Sequence, residues 1–326
     1  MVRNNQCSYQ DDSGLPCHEK ALSNGLCFWH DPNENKTGPE IKEQLERYAQ
    51  NGGLMRGICL KKAQLCDINL VKYNSKQGYD MTGADLYRCN LKAAHLFNIN
   101  LQGGSLMKAD LRDANLNHAN LTQTNLLGAK MEGCKCDSLK VGARVMQEKL
   151  ALTAEQKQDI ELMNDYYQQA EEVYRSLRKS AEAEGLFTTA GHFLRKELTM
   201  RRYQMPKYSY PRAISKLVDL VCGYGELPMR VIFTSLAIIF SSALVYLFTG
   251  IHFNGNIVTF DLNQTATQNM VAFFECLYYS VVTFTTLGYG DFTPVGLSRV
   301  FAAIEAFSGS FIIALFVVVF VKKMTR

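Results

Sequence analysis

The sequence predicts a multidomain membrane protein whose first two thirds are cytosolic and mixed in structure and whose last third is all-α. Three observations predict it: a five-residue period led by leucine between positions 58 and 138, two long, almost uncharged apolar runs after residue 230, and a cysteine and histidine cluster within the first thirty positions. A chain of 326 residues has room for two or three domains. The net charge of +4 is too small to argue for nucleic-acid binding. Met1, Val2, Arg3, Asn4 and Asn5 lead into polar sequence with no apolar signal core. The N-terminal region is therefore expected in the cytosol, with thiols reduced and available for metal rather than for disulfides.

Residues 1–38 hold Cys7, Cys17, Cys27 and His30 in the spacing C-x9-C-x9-C-x2-H. Four soft ligands ending in a close Cys-x2-His pair suit tetrahedral zinc, with His18 as a substitute ligand. Gly14, Pro16 and Gly25 suit the tight turns between them. So short a segment cannot hold a core unaided, which favours a structural zinc over free cysteines. All four positions are filled, so a catalytic role is not expected. Residues 39–57 read as a short helix and linker.

Through residues 58–138, leucine recurs at 86, 91, 96, 101, 106, 111, 116, 121 and 126, and Met131 and Cys136 occupy the same slot. Two places before each stands a small or modest residue, such as Ala84, Cys89, Ala94, Ala109 or Ala114. An earlier run on Leu60, Leu65 and Leu70 meets the main run one residue out of register, near residues 74–79. A period of five fits neither helix nor simple strand. It suits a four-sided solenoid whose stacked coils bury one continuous core. The run resembles the pentapeptide-repeat proteins, which implies a right-handed quadrilateral β-helix of roughly four coils at about twenty residues each. Some members of that family mimic DNA with an acidic surface. Here Asp85, Asp110 and Asp113 are mixed with Lys92, Lys108 and Arg112, so the expected role is a spacer or docking surface.

Residues 139–206 are predicted to form a cytosolic helical hairpin. Thr153, with Gln156 three places on, is expected to cap the first helix. Ile160, Met163, Tyr167, Ala170, Val173, Tyr174 and Leu177 form its apolar stripe, and Gly185 breaks it. A second helix is expected over 188–202, ended by Pro206 and Pro211. Residues 207–229 form an interfacial linker. Its stretch 213–225 reads as an amphipathic helix on the membrane surface, ahead of Pro228.

The final domain, residues 230–326, contains the two apolar runs, 231–251 and 300–321. Each reaches the roughly 20 residues needed to cross a bilayer. The first is uncharged and the second carries only Glu305. Between them, 271–286 is too broken to span and leads into glycines. Lys207, Arg212, Lys216 and Arg230 flank the first run, and Lys322, Lys323 and Arg326 follow the second. Both termini are therefore expected in the cytoplasm of a multi-pass protein of the cell membrane.

Within 270–291 lies the most specific signal, Thr285, Thr286, Leu287, Gly288, Tyr289, Gly290 and Asp291. Inward carbonyl oxygens replace the water of a dehydrated cation. Pointing successive carbonyls to one side needs alternating backbone conformations, which Gly288 and Gly290 allow. One loop cannot encircle an ion, so four copies about a closed axis are required. The segment 228–326 resembles the pore of potassium channels of the two-helix bacterial type. The resemblance implies a homotetramer with a selectivity filter formed by Thr286, Leu287, Gly288, Tyr289 and Gly290, holding potassium ions. Residues 277–284 match its pore helix, Pro294 and Arg299 its outer mouth, and Gly309 its inner-helix hinge glycine. Tyr289 between the glycines implies potassium selectivity, since non-selective relatives carry an acidic residue there. Val282 departs from the family where some members have glutamate, so Asp291 needs another partner, and Tyr278 is the candidate.

Ser310, Ile313, Val317 and Val321 share one face of the inner helix and are expected to line the cavity and inner mouth. Ordinary packing is the alternative for each of these positions. Glu305 is a functional candidate because carboxylates are rare inside spans. It is expected behind the filter against Ser280 or Thr283, in preference to coordinating ions. The leading expectation is therefore passive potassium conduction, with the cytosolic portion assembling or regulating the tetramer under an unidentified cytosolic regulator. A membrane-anchored pentapeptide-repeat scaffold with a poorly conducting pore is the alternative. No nucleophile–base pair, phosphate-binding glycine loop or open metal site argues for an enzyme.

Overall fold

In the computed structural model, which describes residues 6–11 and 14–325, the five-residue period becomes a stack of coils. Leu91, Leu96, Leu106, Leu111 and Leu116 point inward, as do Ala84, Ala94, Ala109, Ala114 and Ala119, and all are essentially unexposed. Two places after each leucine the backbone turns left-handed, at Arg88, Asn98, Lys108, Asp113, His118 and Gln123. A non-glycine residue in that region costs roughly 1–2 kcal/mol. The cost is offset by hydrogen bonds between coils, such as Lys108 N–H to Leu127 O and His118 N–H to Asp137 O, both 2.9 Å. Parallel bridges join Asp85 to Ser105, Asn90 to Asp110, His95 to Asn115 and Asn100 to Asn120. Residues one coil apart are thus four repeats apart along the chain.

The first coil is longer. Cys59 bridges Asp85, Gln64 bridges Asn90 and Asn69 bridges His95, so each offset is five repeats plus one residue. That extra length enters between Leu70 and Asp80, where Tyr73 is exposed, and it accounts for the register break visible in the sequence.

Both ends of the stack are covered. At the first coil, α1 (Ile41–Gln50) buries Ile41, Leu45 and Ala49 in the same core as Ile58 and Leu60. Cys59 N–H donates to Trp29 O at 2.8 Å, and the Trp29 ring stacks on Tyr48. After the last coil come α2 (Met146–Gln156), α3 (Ile160–Ala183) and α4 (Phe187–Tyr203). Ser180 Oγ donates to Met131 O at 2.5 Å, and Gln147 Nε2 donates to Asn125 Oδ1 at 2.7 Å.

The predicted hairpin is therefore three helices, and Thr153 is not its cap. Thr153 lies inside α2, where its hydroxyl donates back to Lys149 O. The cap of α3 is Asp159, whose carboxylate accepts from Leu162 N–H at 3.0 Å. Gln158, at a φ of +59°, turns the chain between the two helices. A carboxylate at a helix N-terminus satisfies a free N–H and faces the positive end of the dipole, so position 159 wins. Gly185, at a φ of +72°, separates α3 from α4. Between those helices the buried Glu197 meets Arg178 at 2.7 Å and Arg175 at 3.2 Å, while Glu171 meets Arg201 at 3.0 Å.

Contacts divide the chain into Met1–Arg212 and Ala213–Arg326. The second unit is entered through α5 (Tyr210–Cys222). It contains α6 (Pro228–Thr249), α7 (Ala266–Phe284) and α8 (Ser298–Met324). Among the described residues, α6 and α8 are the two helices long and apolar enough to cross a membrane. Pro228 starts α6, where its missing N–H costs nothing. Strands β1 (Ile251–Phe253), β2 (Asn256–Val258) and β3 (Phe292–Pro294) form a small antiparallel sheet in the order β2-β1-β3. Its effect is to anchor the chain on either side of α7. Ser298 Oγ donates to Gly250 O at 2.5 Å, tying the start of α8 to the end of α6.

Candidate pore loop and metal centre

Helix α7 is capped at its start by Thr265 and Gln268, which satisfy each other's backbone N–H groups. Its far end is closed by two bonds, Thr286 N–H to Thr283 O at 3.0 Å and Leu287 N–H to Val282 O at 3.1 Å. This closure places Thr286 in the left-handed region, at a φ of +57°. A β-branched residue rarely sits there, and such strain concentrates at functional sites. Beyond it Gly288 and Gly290 have φ values of +56° and +80°, while Leu287 and Tyr289 do not share that conformation. The backbone therefore alternates through 286–290. Among the described residues, no hydrogen bond ends on a carbonyl of these five positions.

Glycine is needed in this unit for two different reasons. A Cβ added at Gly288 or Gly290 would touch nothing, so the requirement there is conformational. At Gly309, in the middle of α8, an added Cβ would fall 2.1 Å from Phe284 O at the end of α7. There the requirement is steric, and α8 runs unbroken through the position.

Other side chains hold the loop from outside. Tyr278 lies against the Asp291 carboxyl group. Phe292, in β3, stacks on Phe253 of β1 at 4.2 Å, and Arg299 Nε donates to Pro294 O at 3.3 Å. Glu305 is buried, with its Oε1 2.5 Å from Ser280 Oγ and its Oε2 2.5 Å from Tyr246 Oη. Of the two partners expected for it, the structure supplies Ser280. Tyr246 was not anticipated, although a tyrosine following two serines in an apolar run is a polar signal. Farther along α8, Ser310, Ile313, Val317 and Val321 lie on surface that the single chain leaves open. At the helix end, Lys322 Nζ meets the Glu226 carboxylate at 2.5 Å.

In the first unit, Cys7, Cys17, Cys27 and His30 are all buried, and their ligand atoms lie within 4.8 Å of one another. Cys17 Sγ and Cys27 Sγ are 3.8 Å apart, as are Cys7 Sγ and His30 Nδ1, while Cys27 Sγ is 3.0 Å from that nitrogen. Ligands around tetrahedral zinc stand about 3.3–3.8 Å apart, given bonds of about 2.0–2.3 Å. His30 Nε2 pairs with Arg56 O at 2.9 Å, which fixes the ring and turns Nδ1 toward the sulfurs. Tyr9 stacks flat on the same ring at 4.0 Å. An added Cβ at Gly57 would strike Tyr9 Oη, so glycine lets the first coil approach that ring. Arg56 in turn bonds Asp11 at 2.6 Å and Asp80 at 2.7 Å. Burial pushes the Cys27 thiol up to about 12, raises Cys17 and lowers His30. A divalent cation reverses this preference for the thiols by stabilising thiolate. Donor set and geometry are compatible with a zinc site. His18 is exposed and lies outside the cluster. The supporting residues Tyr9, Arg56 and Gly57 carry no local motif and were not legible beforehand.

Residues 232–326 match the family profile described as ion channel, and residues 105–135 match that of pentapeptide repeats in eight copies. The chain thus carries an ion channel domain joined to a pentapeptide-repeat domain. Similar solved structures include the pentapeptide repeat protein Rfr23 of the cyanobacterium Cyanothece 51142. It is 26% identical with a TM-score of 0.22, covering 27% of this chain and 63% of that one. HetL of Nostoc sp. strain PCC 7120, a pentapeptide repeat protein involved in heterocyst differentiation regulation, is 28% identical with a TM-score of 0.15, covering 25% and 38%. The protein alr5209 of Nostoc PCC 7120 is 27% identical with a TM-score of 0.16, covering 31% and 78%. The chain spans less than two thirds of the length of the first two. No curated protein matches it.

Three substitutions test these sites. Gly309→Ala, which forces α8 and α7 apart, should cost roughly 1–3 kcal/mol and lower the thermal midpoint of the detergent-solubilised protein. Gly288→Asn, at a residue type that tolerates positive φ, should leave that midpoint near the native value. Cys27→Ser should reduce zinc, measured by elemental analysis, from about one ion per chain to a small fraction of that.

Proposed function

We propose that the chain is one subunit of a homotetrameric, potassium-selective channel that conducts K+ passively across a cell membrane, with both termini in the cytoplasm. The observation that carries this reading is the run of carbonyls at 286–290, which accept no hydrogen bond from the described residues on an alternating backbone. Main-chain oxygens without a donor are tolerated at membrane depth only where they line a cavity or meet another ligand. Four such loops about one axis replace the hydration shell of a potassium ion. The Thr286 hydroxyl adds the innermost ring of oxygens. Leu287 and Tyr289 are exposed on the single chain, as expected of side chains that brace against a neighbouring subunit. The Tyr278–Asp291 contact then supports the outer end of the filter. Gly309 serves as the hinge of the inner helix as well as its contact with α7. The open face of Ser310, Ile313, Val317 and Val321 lines the cavity and gates by dewetting.

The cytosolic part is read as a right-handed quadrilateral β-helix, supported by its bridges at every fifth residue. A structural zinc on Cys7, Cys17, Cys27 and His30 closes its N-terminal end. Its partners are the three identical subunits and a cytosolic regulator, and its role is assembly or control of the pore.

Full-length protein reconstituted in liposomes with an outward K+ gradient tests the reading. Flux should be potassium-selective, blocked by barium and abolished by Gly288→Asp. Equal passage of sodium and potassium, or no flux under any gating condition, would contradict it.

A further inference from the structure

A buried carboxyl group inside an apolar helix is expensive wherever it stands, so it is retained for what its two oxygens hold. In α8, Glu305 is 3% exposed and its oxygens diverge toward two helices. One meets Ser280 of α7 and the other Tyr246 of α6, each at 2.5 Å, and both partners are fully buried. Ser242 of α6 also lies against the carboxyl group. Ser280 Oγ is in addition 2.9 Å from Ile239 O, so the serine sits between the outer and inner helices.

The second contact between these helices follows in register. Gly309 is four residues beyond Glu305, and it meets Phe284, four residues beyond Ser280. One helical turn separates the two contacts on α8, and one turn separates them on α7. The inner helix thus grips α7 at two successive turns, and the second grip ends where the loop of unpaired carbonyls begins.

We propose that Glu305 is a positioning residue for ion selection: by fixing α7 to α6 and α8, it sets where the carbonyls of 286–290 stand. The assignment rests on the channel reading above and deepens it. A carboxyl group does this because each oxygen accepts from a hydroxyl on a different helix, with no backbone rearrangement. Glutamine retains the reach and the one-for-one contacts, with one bond reversed in direction. Alanine removes both contacts and leaves Ser280 and Tyr246 facing a cavity.

The test uses full-length tetramers in planar bilayers, comparing wild type with Glu305→Ala, Glu305→Gln, Tyr246→Phe and Ser280→Ala. Oligomer retention on size exclusion reports structure. The K+/Na+ permeability ratio and burst duration report positioning, which a merely structural residue would not move in assembled tetramers. The expected result is an assembled Glu305→Ala tetramer with the permeability ratio or burst duration reduced by about tenfold. Glutamine should restore most of it, the two hydroxyl variants should fall between, and their combination should be no worse than Glu305→Ala. Wild-type selectivity and bursts in an assembled Glu305→Ala tetramer would overturn the assignment alone. If that variant fails to assemble, wild-type behaviour of both hydroxyl variants overturns it, and reduced selectivity in either supports it. A wild-type chain with no potassium-selective current overturns the channel reading and this assignment together.

Discussion

Main-chain carbonyls without donors are the constraint around which the membrane unit is built. A backbone oxygen left unpaired in apolar surroundings costs about as much as a lost hydrogen bond, and residues 286–290, exposed on the single chain, present five carbonyls in succession that accept none from the described residues. The surrounding elements keep this segment from collapsing into helix or sheet. Two backbone bonds stop α7 at Thr286, β3 seizes the chain directly after Asp291, and the φ values between them suit glycine. Glu305 and Gly309 then hold the end of α7 from behind. Each of these features is costly alone. Together they present one row of oxygens, which under the proposed function is the row that binds potassium.

The first unit meets a different constraint, because a stack of coils has two open ends. Each end exposes unpaired backbone groups and an apolar core unless something covers it. The last coil is covered by helices whose own interface carries Glu171 and Glu197 against arginines. The first coil is covered by a segment too short for a core of its own. Its four buried Cys and His side chains are fixed to the coil through Trp29 O, Arg56 and the close approach of Tyr9 to Gly57. Metal binding and capping are therefore one structural event in the proposed reading.

What the sequence disclosed depended on whether the signal was local. Positive φ at Gly288 and Gly290 follows from residue type, and the displaced repeat register was visible in the spacing of Leu70 and Leu86. Thr286 was not legible as a left-handed residue, because its conformation is imposed by the helix end and not by its own preference. Thr153 has the composition of a cap, yet position 159 wins because the preceding turn at Gln158 sets where α3 begins. The partners of Glu305 divide the same way. Ser280 was expected from its place on the helix behind the loop, whereas Tyr246 lies 59 positions away on another helix. Gly309 was read as a hinge, but its steric contact with Phe284 exists only once α7 and α8 are packed.

Ion positions measured in the assembled protein test the central claim most directly. Anomalous scattering from rubidium or thallium in the crystalline tetramer should place ions in a row on a fourfold axis, each ringed by carbonyls of residues 286–290. An axis without ions, or loops that turn their carbonyls away from a shared axis, would contradict the account.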